Sequence, residues 1–214
     1  MERNDLEVAI IGAGMSGILM AIRLEEAGIE SFRVFEKASS VGGTWRENTY
    51  PGLTCDVPSF FYSYSFETNP DWSHRFAPGP EIRAYFERVA EKYGVLPFVR
   101  FESEVCDARY EDGGWSIETR DGERVRARFL VMATGPLHHE HVPDIPGLAS
   151  FEGAVFHTAS WDHTVPLEGK RIGLVGTGST AVQAATPLSK VASELTIFQR
   201  TAQWIFPIGN APYS

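Results

Sequence analysis

The stretch Leu6-Glu-Val-Ala-Ile-Ile11-Gly12-Ala-Gly14-Met-Ser-Gly17 decides the fold. A short apolar run rich in β-branched residues meets a glycine triplet at once, and a helical pattern follows that ends at Gly28, a residue suited to the left-handed C′ position. The order is strand, tight turn, helix. Phe32–Phe35 supplies the next strand, and Glu36 stands at its end, 24 residues after Gly12, near the spacing of an acid that binds a ribose. Each glycine has a task. Gly12 makes the turn, Gly14 lets the backbone approach a pyrophosphate, and Gly17 lets helix and strand pack closely, with the helix N-terminus facing the phosphates. A chance glycine-rich turn would not come with a complete strand–helix–strand unit.

The pattern recurs near the other end as Gly176-Thr-Gly178-Ser-Thr-Ala181, after a strand at Arg171–Val175 that reads as buried. A helix over 180–189 follows, which Pro187 is expected to kink or shorten, and then a strand at 195–198. Where an NAD-specific unit would carry an acid, this chain has Gln199-Arg200-Thr201. A carboxylate there would repel a 2′-phosphate, whereas Arg200 holds one with charge-assisted bonds of about 1.5–3 kcal/mol. NADP is therefore expected over NAD.

Between these units, residues 42–76 are rich in aromatics, Gly, Pro and Asn, the composition of long packed loops that line something. Residues 80–93 predict a helix with Ile82, Tyr85, Phe86, Val89 and Tyr93 on a core-facing stripe and Gly94 after its end. Over 98–131 the pattern alternates, with turn signals at Asp112-Gly-Gly114 and Asp121-Gly122, which predicts an antiparallel meander. Residues 129–135 read as a buried strand running into a small-residue turn, and the proline-spaced 142–147 as a connector. The expected fold class is α/β: two dinucleotide-binding Rossmann-like units, the first with an antiparallel β-meander insertion and the second incomplete.

Composition narrows the function classes. A net charge of −9 over 214 residues lacks the clustered Lys and Arg that nucleic acid requires. Residues 8–22 are apolar, but no positive region precedes them and three glycines interrupt them, so a strand and helix explain them better than a signal peptide or membrane span. Cys55 and Cys106 form no Cys-x-x-Cys pair and no zinc set, which makes a reduced, cytoplasmic setting the default and removes a disulfide reductase from the candidates. His138, His139 and His141 read as a solvated loop cluster, not a metal site, and Cys55 as a packed thiol. No metal is expected.

Phe151-Glu-Gly153-Ala-Val-Phe-His157-Thr-Ala-Ser-Trp161-Asp162 lies between the two glycine turns. Together with Gly42-Gly-Thr-Trp45, Asn48-Thr-Tyr-Pro-Gly52, Cys55-Asp56 and Ala133-Thr-Gly135, this run resembles the class B flavoprotein monooxygenases, in particular those of Baeyer-Villiger type. The resemblance covers essentially the whole chain. The pattern Phe-x-Gly-x-x-x-His-x-x-x-Trp-Asp is that family's fingerprint; related N- and S-oxygenating enzymes have a shorter form without the final pair.

The resemblance implies FAD in a first domain over 1–150, a fingerprint linker over 151–170, and the start of an NADP(H)-binding domain over 171–214. Gly12, Gly14 and Gly17 would lie at the FAD pyrophosphate, Glu36 at its ribose, Thr44, Trp45, Asp56 and Tyr62 along the flavin, and Val105 near the adenine. Lys37, Gly43, Thr54, Cys55 and Gly135 complete the implied FAD set. Gly176, Thr177, Gly178, Ser179, Thr180, Ala181 and Val182 would hold NADPH, with Gln183 nearby and Arg200 and Thr201 at the 2′-phosphate. The catalytic candidates are Asp56, which in the family orients an arginine absent from this sequence, and His157, as a structural switch.

The implied reaction is NADPH- and FAD-dependent: oxygen adds to reduced flavin as a C4a-peroxide, which attacks a ketone and rearranges it to an ester or lactone. The competing readings are an N- or S-oxygenating flavin monooxygenase and an inactive nucleotide-binding fragment. The sequence leaves the ketone and the oligomeric state open. Because the family's proteins are longer, exposed sheet edges, weak FAD binding and no turnover are expected of these 214 residues alone.

Overall fold

A computed structural model describes residues 5–213. The chain forms two compact units. One takes in the described chain up to Arg46 together with Arg83–His139, and the other takes in Glu47–Ile82 together with the chain from Glu140 onward.

In the first unit, β1 (Asp5–Ile11) leads through the glycine turn into α1 (Met15–Glu26) and back to β2 (Phe32–Phe35), which pairs parallel with β1 from Val8 opposite Phe32 to Ile11 opposite Phe35. α1 stops where the sequence places its stop: Gly28 has φ +73° and its N–H bonds back to the Glu25 carbonyl. The short α2 (Thr44–Glu47) follows. Helix α3 (Gly79–Lys92) runs across the division between the units and buries Ile82, Tyr85, Phe86 and Val89 completely, each worth about 1.5–3 kcal/mol of transfer free energy. Its spacing of three and four residues is what the sequence stripe required.

Strands β3 (Val99–Arg100), β4 (Val105–Glu111), β5 (Gly114–Thr119) and β6 (Arg124–Met132) complete a six-stranded sheet in the order β3-β2-β1-β6-β5-β4. β1, β2, β3 and β6 are mutually parallel where they pair, and β4-β5-β6 form the antiparallel meander. Asp112 and Gly113 both have positive φ, 50° and 77°, so the β4–β5 connection is the two-residue turn that Asp-Gly favours. Ala9, Phe35, Ile117, Val125 and Ala127 form one core cluster of this sheet.

The second unit holds a two-stranded parallel pair, β7 (Arg171–Val175) and β8 (Glu194–Phe198), joined through α4 (Ser179–Val191). Its core is Tyr50, Leu174, Ala184 and Leu188, with Leu53, Trp161, Leu167 and Leu195 packed against it.

Three expectations from sequence need correction. β7 is not a buried strand: only Leu174 is buried, because α4 covers one face of a sheet just two strands wide. The end of β6 is likewise open, with Phe129 and Met132 exposed, although the pattern there is continuously apolar. Pro187 does not shorten α4, which continues to Val191. No helix among the described residues is long and apolar enough to cross a membrane.

Candidate functional site

The first glycine turn needs its glycines on steric grounds. Gly12 has φ +100°, and a Cβ there would stand 2.6 Å from the Ala133 carbonyl oxygen. A Cβ on Gly17 would stand 1.9 Å from the Gly12 oxygen, so α1 can lie this close to β1 only with glycine at 17. Gly14 differs. Its φ is ordinary, and a Cβ would meet nothing nearer than Gly43 Cα at 3.5 Å. No side chain caps α1 and its first turn carries no acid; the carboxylate that meets this positive end of the helix dipole is that of Glu36, on the Ala13 N–H.

Glu36 is folded back onto this turn. Its Oε2 accepts from the Ala13 N–H at 2.8 Å, its Oε1 from the Ala38 N–H at 2.9 Å, and the Arg46 guanidinium stands 3.2 Å from Oε1. Side-chain exposures of 12% for Arg46 and 6% for Glu36 make this a buried ion pair, in which loss of one partner costs about 3–5 kcal/mol. Arg46 was not singled out in the sequence; the signal available was a cation three residues after Gly43. Of the other candidates in this unit, Lys37 approaches His138 Nε2 at 2.5 Å, Val105 packs on the sheet core, and Gly135 has φ +71° with open space around it. Gly43, Thr44 and Trp45 lie at the start of α2, where the Trp45 N–H bonds to the Gly42 carbonyl.

The second glycine turn shares a unit with the loop that carries Thr54, Cys55, Asp56 and Tyr62. Gly176 has φ +108°, and a Cβ on Gly176 or Gly178 would meet no atom within 4 Å. α4 has no side-chain cap and no acid in its first turn. The Ser179 hydroxyl donates to Asp56 Oδ2 at 3.0 Å. Gln183 Oε1 accepts from the Tyr50 hydroxyl at 2.8 Å and from the Thr54 N–H at 3.4 Å, while its Nε2 donates to the Thr54 carbonyl at 3.0 Å. Ser179, Gln183 and Pro187 recur every four residues, so one stripe of α4 faces this loop. Thr177 Oγ1 donates to the Thr201 carbonyl at 3.3 Å, which ties the exposed Arg200–Thr201 end of β8 back to the turn. Thr180 bonds the Tyr50 side chain, Ala181 packs on the core, and Val182 is exposed.

Burial pushes the Tyr50 hydroxyl above its ordinary range; the Thr180 bond opposes this and the Asp56 charge adds to it. Burial also raises the Cys55 thiol, against hydrogen bonds from the Val57 and Asp56 backbone. A thiol held protonated in this way is a poor nucleophile. Both cysteines are free thiols, with Cys106 exposed. Among the described residues no group of three His, Cys, Asp or Glu side chains is placed to hold a metal ion.

In the run from Phe151 to Asp162 the His157 and Asp162 side chains bond locally, whereas the Ser160 hydroxyl donates to the Glu140 carboxylate. His157 Nδ1 accepts from the Ala159 N–H at 3.1 Å and so caps the one-turn helix Thr158–Ser160. Phe156 meets Trp161 edge-on at 5.1 Å, and Trp161 joins the core around Leu188. Asp162 Oδ1 accepts from both the N–H and the hydroxyl of Thr164, bonds that hold its carboxyl below the usual range.

The sequence model of the pyridine nucleotide-disulphide oxidoreductase family matches residues 9–208. A Baeyer-Villiger monooxygenase of Streptomyces coelicolor is 48% identical over 204 residues, which are 94% of this chain and 39% of that protein. The structure of cyclohexanone monooxygenase from Rhodococcus sp. Phi1 bound to NADP+ superposes with a TM-score of 0.91 at 37% identity, over 100% of this chain and 41% of that one. That of OTEMO in complex with FAD and NADP gives a TM-score of 0.90 at 39% identity, over 98% and 41%. The chain thus spans about two fifths of the length of the relatives it matches. It belongs to the pyridine nucleotide-disulphide oxidoreductase family, within which its likeness is to the flavin monooxygenases of Baeyer-Villiger type.

Proposed function

We propose that this chain is the nucleotide-binding part of an NADPH- and FAD-dependent monooxygenase that converts a ketone to an ester or lactone with dioxygen. The carrying observation is that two glycine turns each open a helix with no side-chain cap and no acid in its first turn. Two such helix ends are two anion sites, one for each dinucleotide. Both nucleotide-binding units are Rossmann-like, with an FAD domain over 1–150, a linker over 151–170 and an NADP domain from 171.

The residues present fit both cofactors. Gly14, facing Gly43 with only backbone on either side, leaves space that a side chain would take from a pyrophosphate. Glu36 uses three of its four acceptor positions on Ala13, Ala38 and Arg46, which leaves one for a ribose hydroxyl. Around Gly178 the cradle is open, and Arg200 stands exposed at the end of β8 for a 2′-phosphate. FAD, when bound and reduced by NADPH, supplies the activation of dioxygen. Asp56 would bring a carboxylate to the start of α4, where it accepts from the Ser179 hydroxyl, and His157 holds the linker turn in shape. Free thiols accord with a cytoplasmic setting.

The test uses the full-length protein. It is expected to purify yellow, to oxidise NADPH only with a ketone and oxygen present, and to yield an ester by mass-spectrometric product analysis. Flavin reduction by NADPH with an amine or sulfide oxidised and no ester formed would replace this reading with the N- or S-oxygenase one.

A further inference from the structure

Gln183 sits one turn into α4, at the position where a helix that binds a dinucleotide would turn a polar side chain toward it. Its amide points elsewhere. The oxygen has two acceptor positions, and the Tyr50 hydroxyl and the Thr54 N–H take both. One of its two N–H donors goes to the Thr54 carbonyl, so a single donor remains for any ligand. The paired bonds to the N–H and carbonyl of one residue imitate a β-ladder contact and fix the Thr54 backbone in both directions. Two residues away, Gly52 lies so close that a Cβ would stand 2.4 Å from the Gln183 carbonyl oxygen. One turn back, Ser179 takes the Asp56 carboxylate.

We propose that Gln183 is a positioning residue and not a cofactor ligand: its amide clamps Tyr50 and Thr54 to α4 and so sets where Asp56 meets Ser179. The consequence for turnover rests on the monooxygenase reading, while the clamp itself does not. Asp56 is exposed and its carboxylate meets α4 through the Ser179 hydroxyl, so beside the packing of Tyr50 and Leu53 on Ala184 and Leu188 the clamp is the polar tie that sets its approach. The exposed Ser179 bond competes directly with water.

Gln183→Met removes the amide at similar volume. In the full-length enzyme the KM for NADPH is expected to stay within about threefold while kcat falls about tenfold or more, the signature of lost positioning. A KM raised about tenfold with kcat kept would make Gln183 a ligand contact and overturn the proposal. Thermal unfolding of Tyr50→Phe, Gln183→Met and the double variant gives a readout independent of activity. The midpoint shift from Tyr50→Phe is expected to be less than about half as large in the Gln183→Met background as in the native one. Equal shifts would overturn the clamp. Absence of ketone-dependent NADPH oxidation in the native enzyme would sink the monooxygenase reading, and the thermal cycle would then decide the clamp alone.

Discussion

Gly14 and Gly17 are three residues apart and carry opposite sensitivities. Adding a methyl at 17 drives it to 1.9 Å from the Gly12 oxygen, so Gly17→Ala forces α1 off β1 and should lower stability by about 3 kcal/mol or more, read as a fall in unfolding midpoint. Gly14→Ala meets only ordinary contact at 3.5 Å, so it should fold normally yet lose bound flavin on gel filtration; retention of full flavin would remove the pyrophosphate from Gly14. Arg200→Ala should raise the KM for NADPH about tenfold or more and leave that for NADH nearly unchanged, since one charge-assisted contact of about 1.5–3 kcal/mol is lost for the phosphorylated cofactor alone. Tyr50 makes a pH prediction. Its raised hydroxyl means that the folded chain keeps the proton longer than the unfolded one, so its contribution is complete below the ordinary value of 10.0 and fades as pH climbs toward the folded value. Tyr50→Phe should therefore flatten the alkaline limb of the unfolding midpoint above about pH 10. An equally steep limb in the variant would assign the alkaline loss to other groups.

At the scale of elements, α4 and the 49–56 loop explain one another. Pro187 has no N–H, so the Gln183 carbonyl lacks its usual intrahelical donor, and the Gly52 backbone, at φ +85°, lies against that oxygen. Gly52→Ala adds both a left-handed penalty of about 1–2 kcal/mol and a 2.4 Å contact, so it should destabilise the second unit. Its check is hydrogen exchange: amides of α4 should lose protection while those of β1 and β6 keep theirs, and uniform loss would refute a local effect. The regular elements were legible because periodicity and glycine position encode them directly, as in β1, α1 and β2 or the Asp112-Gly113 turn. The exposure at the end of β6 was not, since an apolar run records what a strand is able to bury and not what covers it. Nor were the partners of Glu36 and Gln183 legible: spacing set Glu36 at a ribose and the family resemblance set Gln183 near NADPH, while Arg46 reaches Glu36 and Thr54 reaches Gln183 only through the path of loops without a period.

At the scale of the whole molecule, two terms oppose each other. The net charge of −9 disfavours self-association, whereas Val175 and Phe198 on β7 and β8, and Trp204, Ile205 and Phe206 beyond them, leave a run of large apolar side chains in water. Covering the three aromatics alone, which are 55%, 104% and 81% exposed, removes roughly 360–600 Å² from water, worth about 9–15 kcal/mol before the entropy of association is set against it. The charge term is screened beyond about 8 Å at physiological ionic strength and weakens further as salt rises. The apolar term therefore wins. The 214-residue chain should show a weight-average mass in sedimentation that grows with concentration and grows again with added sodium chloride. Trp204→Ser with Phe206→Ser should remove most of that growth while leaving the unfolding midpoint nearly unchanged, because both side chains are exposed. A mass that falls with salt would show that ion pairs, and not these side chains, drive the association.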